Sequence, residues 1–216
     1  MVATERSSVE SLEKEILNIG EMVELAISRS ISCLIKRDVI LARAVIKEDE
    51  LIDRAEVAVQ ESCVAILENE RPVGRELRFV VATLKINDSL ERIGDLAENV
   101  AAVVVEVGNW ERFLHVGGIE DMATVAQKMV HESLRSFVTR DIELARKVID
   151  DDDTVDAAHR RIRERIEFEL DRIPENASPL LALETVTRQF ERIGDIACKI
   201  AEEVIYLVEG EIVRHR

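Results

Sequence analysis

The chain repeats itself. Residues 37–53 align with residues 140–156 at an offset of 103. Nine of these seventeen positions are identical: Arg37, Asp38, Leu41, Ala42, Arg43, Val45, Ile46, Asp49 and Asp53. Further on, Glu91-Arg92-Ile93-Gly94-Asp95 recurs unbroken as Glu191-Arg192-Ile193-Gly194-Asp195, at an offset of 100. Two segments that recur in the same order at nearly the same offset mark a tandem duplication. Each half of the chain must therefore fold as the same supersecondary unit.

That unit is helical. Val9, Leu12, Ile16, Ile19, Val23, Ala26, Ser30 and Cys33 step by three and four, which predicts a first helix from Ser7 or Ser8 to about Arg37. Asp38 is placed to cap a second, with Ala42, Val45, Ile52, Val59, Cys63 and Ile66 inward. Arg71-Pro72-Val73-Gly74 breaks it near Asn69. A third runs from about Arg75 to Val107, with Ile86, Leu90, Ile93, Ala97, Val100 and Val104 inward. Gly108 and then Gly117-Gly118 mark an internal linker, which Trp110 and Phe113 are expected to pack. A fourth helix spans about Ile119 to Thr139, with Met122, Val125, Met129 and Phe137 inward. Asp141 caps a fifth, Pro174 and Pro179 bracket a break, and a sixth runs to about Val213. No segment alternates with period two over a strand's length, and 8 Gly and 3 Pro are few for a loop-rich chain. The predicted fold is all-α: a tandem pair of antiparallel three-helix bundles, six long helices in all, divided as residues 1–114 and 115–216.

Charge narrows the function. Lys and Arg number 29 against 44 Asp and Glu, a net charge of −15. Such a field repels nucleic-acid backbones and suits cations or basic partner surfaces. Cys33, Cys63 and Cys198 show no CxxC spacing and sit in apolar helical patterns, which reads as buried, reduced thiols in a cytoplasm. Met1 to Ser11 holds no signal-peptide apolar region, and the longest apolar runs, such as Val100 to Val105, are too short to span a bilayer.

Four pairs of carboxylates stand at i,i+4: Asp49/Asp53, Glu91/Asp95, Asp152/Asp156 and Glu191/Asp195. The two members of a pair share one helix face. Like charges at this spacing cost a few tenths of a kcal/mol per pair. In the first half both pairs lie about 18 residues from the Pro72 turn, so an antiparallel hairpin sets them side by side. In the second half the count is off by about one helical turn, which predicts a less well matched patch. Asn87 and Asn99 lie one turn to either side of Glu91 and Asp95 and could add carbonyl oxygens. Clustered oxygen donors suit Mg²⁺, Mn²⁺, Ca²⁺ or iron, whereas zinc usually prefers His and Cys. The same spacing also admits a solvated acidic face whose ion-pair partners are Arg43, Arg54 and Arg92. His159 follows Asp156 by three and could face the second patch as an extra metal ligand, where the first half has Glu56. His115, His131 and His215 read as surface residues.

Conventional catalytic motifs are absent. The chain has no GxxxxGK[ST], no GxGxxG opening a helix, no GxSxG, no HExxH and no Glu-x-x-His pair. No residue is assigned a catalytic role, and no organic cofactor is expected. A metal-dependent hydrolase or oxidase built on the acidic patch stands as the alternative class.

At Glu91-Arg92-Ile93-Gly94-Asp95-Leu96-Ala97-Glu98-Asn99, and at its echo over 191–199, the chain resembles the PhoU family of phosphate-uptake regulators. That family carries an E/DxxxD motif in each of two tandem three-helix units. The resemblance covers nearly the whole chain. It implies a non-catalytic cytoplasmic adaptor between the phosphate ABC transporter, through its ATPase, and the sensor histidine kinase, damping the phosphate-starvation response. Contact with the membrane would come only through those partners, and homo-oligomerisation stays open. Some members hold multinuclear iron or zinc clusters on these carboxylates. Position by position, the implied metal ligands are Asp49, Asp53, Glu91, Asp95 and Asn99, then Asp152, Asp156, Glu191 and Asp195. Where the family usually has Asn, the second motif has Lys199, whose charge works against a metal there.

Overall fold

A computed structural model of the chain describes residues 2–107, 117–172 and 177–210, with side chains from residue 8 onward. Six helices account for almost all of it: α1 (Val2–Lys36), α2 (Val39–Asn69), α3 (Arg75–Glu106), α4 (Ile119–Thr139), α5 (Ile142–Arg172) and α6 (Ala177–Glu209). Among the described residues there is no strand. Trp110, Phe113, His115, Pro174, His215 and the expected 114/115 division lie outside the described residues.

The duplicated Arg-Asp dipeptide has a structural reason. Arg37 and Arg140 both take left-handed backbone angles, with φ of 58° and 57°, and so end α1 and α4. The next residue restarts the chain as a helix. Asp38 accepts from the amide of Leu41 at 2.9 Å, and Asp141 accepts from the amide of Leu144 at 3.0 Å. A side-chain oxygen on an otherwise unpaired N-terminal amide is a helix N-cap. Each repeat thus turns from its first helix to its second with no intervening loop.

Helix periodicity sorts the core as expected. Leu12, Ile16, Ile19, Val23 and Cys33 of α1, the six named positions of α2 and the six of α3 are all buried. In α4, Met122, Met129 and Phe137 are buried, while Val125 is only half-buried. The two repeats share one continuous apolar core. α1, α3, α6 and α4 pack in a ring, each against the next, and α2 and α5 lie outside it on their own repeats. The ring closes tightly where α1 meets α4. A β-carbon built at Gly20 would sit 2.9 Å from a Leu134 methyl, so a larger residue there would have to push that side chain aside.

Three expected boundaries shift. α1 begins at Val2 rather than at Ser7 or Ser8, because nothing from Val2 to Arg6 breaks a helix. α6 ends at Glu209, where Gly210 takes a φ of 78°, and the expected end at Val213 lies outside the described residues. Pro179 lies in the first turn of α6 rather than in the break before it. Its missing amide hydrogen costs nothing there, since a helix's first amides have no partner within the helix.

Candidate metal centre

α2 and α3 run antiparallel from the short turn at residues 70–74, so Asp49 and Asp53 come to face Glu91 and Asp95. One carboxylate oxygen from each of Asp49, Asp53 and Asp95 lies within 4.8 Å of the other two. Asp53 and Asp95 are exposed, Glu91 is half-buried, and Asp49 is only 9% exposed. Asp49 can lie so deep because of Gly94. A β-carbon there would come within 3.1 Å of Asp49 Oδ1.

Glu98 and Glu56 extend the cluster beyond what the sequence suggested. Glu98 lies one turn beyond Asp95, on the same stripe. Asp49 is pushed up to about 7 by burial, then by Glu98, Asp53, Asp95 and Glu91. Burial first, and neighbouring carboxylates second, also raise Glu91, Asp95, Glu98 and Glu56 from their ordinary values. Arg92 opposes the rise at Asp95.

The cluster is short of cations. Arg54 pairs with Glu50 at 3.3 Å and Arg92 with Asp88 at 3.6 Å, both along their own helices. Among the described residues, no ion pair within 4.0 Å reaches Asp49, Asp53, Glu91 or Asp95. Arg54 and Arg92 thus form ordinary surface ion pairs, but with Glu50 and Asp88 rather than with the four clustered carboxylates. A set of oxygen donors with unmatched negative charge fits a hard or intermediate cation.

The two asparagines part company. Asn87 is buried, and its amide donates to the Glu56 carbonyl at 2.9 Å and to Glu56 Oε1 at 3.0 Å. It anchors Glu56 to α3. Asn99 is exposed and lines a cleft toward α6 together with Asp95.

The second patch assembles despite the uneven count from its turn. Glu191 is raised by burial and then by Asp195, is lowered by His159 and is raised again by Asp156. Asp195, His159 and Asp156 therefore all lie close enough to act on Glu191. Asp152 repeats the Asp49 contact, since a β-carbon at Gly194 would lie 3.1 Å from Asp152 Oδ1. Its composition differs, however. His159 stands where the first half has Glu56, and Cys198 where it has Glu98. His159 Nε2 is buried and makes no hydrogen bond among the described residues. No trio of ligand atoms within 4.8 Å forms here among the described residues.

His131 lies at the surface, 3.1 Å from Glu24. The three cysteines are buried and free. Burial pushes the Cys33 thiol up to about 11 and the Cys63 thiol up to about 12, and it raises Cys198 as well. Thiols so protonated are poor nucleophiles.

Known proteins match the chain over nearly its whole length. A family model described as the PhoU domain matches residues 16–104 and 119–204, one match in each repeat. The "Phosphate-specific transport system accessory protein PhoU homolog" of Aquifex aeolicus is 34% identical over 208 residues, which is 96% of this chain and 94% of that one. The Escherichia coli K12 "Phosphate-specific transport system accessory protein PhoU" is 30% identical over 210 residues, 97% of this chain and 87% of that one. The crystal structure of a Pseudomonas aeruginosa PhoU superposes with a TM-score of 0.88 at 31% identity, covering 95% of this chain and 99% of that one. A PhoU described as a phosphate transport system regulatory protein from Streptococcus pneumoniae shares the fold, with a TM-score of 0.90 at 23% identity over 98% and 100% of the two chains.

Proposed function

The chain belongs to the PhoU family, and from that premise we propose that it regulates phosphate uptake as a non-catalytic cytoplasmic adaptor. Its relatives are named as accessory and regulatory proteins, not as enzymes. No helix among the described residues is long and apolar enough to cross a membrane, so its place at the transporter would come through partners. Those partners are the ATPase of the phosphate ABC transporter and the sensor histidine kinase. The acidic patches act as metal platforms that shape the docking surface. Iron or zinc follows from the family resemblance, while the all-oxygen donor set of the first patch also suits Mg²⁺ or Mn²⁺.

The observation that carries the metal reading is the Asp49–Asp53–Asp95 trio, with oxygens within 4.8 Å of one another and no cation of the chain paired to them among the described residues. The enzymatic alternative gains nothing from it. Asp53 and Asp95 are open to solvent, whereas a hydrolase or oxidase site encloses its substrate. Long helices with charged faces instead select partners by complementarity. Affinity capture on the purified chain, with metal and with chelator, tests the reading. Retention of both the ATPase and the kinase supports it. Failure to retain either one, under both conditions, contradicts it.

A further inference from the structure

α3 and α6 meet along a cleft of about 170 Å³. Its lining comes in equivalent pairs at the repeat offset of 100: Arg92 with Arg192, Asp95 with Asp195, and Asn99 with Lys199. A buried aliphatic pair, Leu96 and Ile196, completes it. The cleft therefore lies on the local twofold axis that relates the two repeats. It also concentrates three cations, in a chain whose net charge is −15.

We propose that this cleft binds a protonated tetrahedral oxyanion, inorganic orthophosphate, held between the two repeats. Guanidinium groups present a planar fork that takes two oxygens at once. Arg92 and Arg192 supply one fork from each side of the axis, and a tetrahedral ion, which has twofold axes of its own, meets both alike. Lys199 adds a third positive charge and Asn99 an amide. These cations are available. Arg92 holds Asp88 only at 3.6 Å, at an exposed position. Neither Arg192 nor Lys199 has an ion-pair partner within 4.0 Å among the described residues.

Asp95 and Asp195 repel a bare anion, and that sets the specificity. Orthophosphate carries one or two protons at neutral pH, and its dihydrogen form donates one P–O–H to each of the two carboxylates. Sulfate carries none and would leave both carboxylates facing bare oxygens. A site that rejects the competitor through unpaired like charge discriminates strongly. The cleft needs no metal and no partner protein, so chelated protein tests it whatever the outcome of the metal reading.

Isothermal titration of orthophosphate into chelator-treated chain, at pH 7 and fixed ionic strength, is the test. One saturable site per chain is expected. Sulfate should bind at least tenfold more weakly, and Arg92→Gln/Arg192→Gln should weaken orthophosphate at least about tenfold. Arg43→Gln, an exposed cation on α2, should change nothing. If the double variant fails to fold by circular dichroism, Lys199→Glu carries the same expectation. Absence of saturable binding, sulfate binding as tightly as orthophosphate, or undiminished binding by the folded variant overturns the proposal.

Discussion

Asp49 Oδ1 rests where a side chain at Gly94 would begin: a β-carbon there would lie 3.1 Å from that oxygen and 3.2 Å from Ile52 Cδ1. The same contact recurs between Asp152 and Gly194, at the same 3.1 Å. Glycine in the repeated motif is thus the space that lets an outer helix bring a carboxylate against the inner one.

Replacing that glycine sets two effects against each other. Alanine improves helix propensity by about 1 kcal/mol. Overpacking a tight site costs about 1–3 kcal/mol. Ile52 is buried and Asp49 nearly so, which leaves neither room to move, so Gly94→Ala should lower stability in urea melts. Gly194→Ala should cost less, because its other close neighbour is the flexible Met129 side chain at 3.6 Å. Equal or greater stability for Gly94→Ala would show that the contact is slack.

Metal-free protein should lose stability as the pH rises. Asp49 titrates near 7 in the folded chain against an ordinary value of 3.8. Between those values the folded state holds the extra proton, so this stabilisation is complete below about pH 4 and is lost as pH rises through 7. The raised Glu91, Asp95 and Glu98 act in the same direction. Thermal melts in chelator from pH 5 to pH 8 should fall, and Asp49→Asn should flatten the slope. Metal-loaded protein should do the opposite, because ligands must lose protons to bind.

Asp95→Asn removes one charge and one ligand beside, rather than on, the buried Ile93/Ala97 seam. Metal content should drop. In chelator the variant should melt level with or slightly above the parent, since its repulsion with Glu91 is relieved by a few tenths of a kcal/mol. A clearly lower melt in chelator would make Asp95 a structural ion-pair residue instead.

The first patch should hold metal at least as well as the second. It gathers Glu56 and Glu98 where the second has His159 and Cys198, and Asn99 where the second has Lys199. Asp53→Asn should therefore remove at least as much bound metal as Asp156→Asn, measured by elemental analysis of the two variants. A larger loss in Asp156→Asn would reverse the ranking.

Repetition made the ligand pairs readable and hid their neighbours. Asp49, Asp53, Glu91 and Asp95 stand out because each recurs, and the Pro72 turn sets their register. Glu98 and Glu56 escaped because their counterparts, Cys198 and His159, are not acidic. Only the folded hairpin shows them on the same face. The mismatch counted from the second turn agrees with the looser second patch, where no trio of ligand atoms within 4.8 Å forms among the described residues, although Asp156 and His159 still act on Glu191. Capping signals located α2 closely, through Asp38, yet a serine read as the start of α1 is a weak boundary where no residue before it breaks the helix.

Equilibrium dialysis of chelator-treated chain against Mn²⁺ tests the central claim most directly. Saturable uptake of at least one ion per chain is expected, lost from the first patch in Asp49→Asn/Asp53→Asn/Asp95→Asn while circular dichroism still reports a folded helical protein. No saturable uptake by the parent, or equal uptake by the folded triple variant, would contradict it.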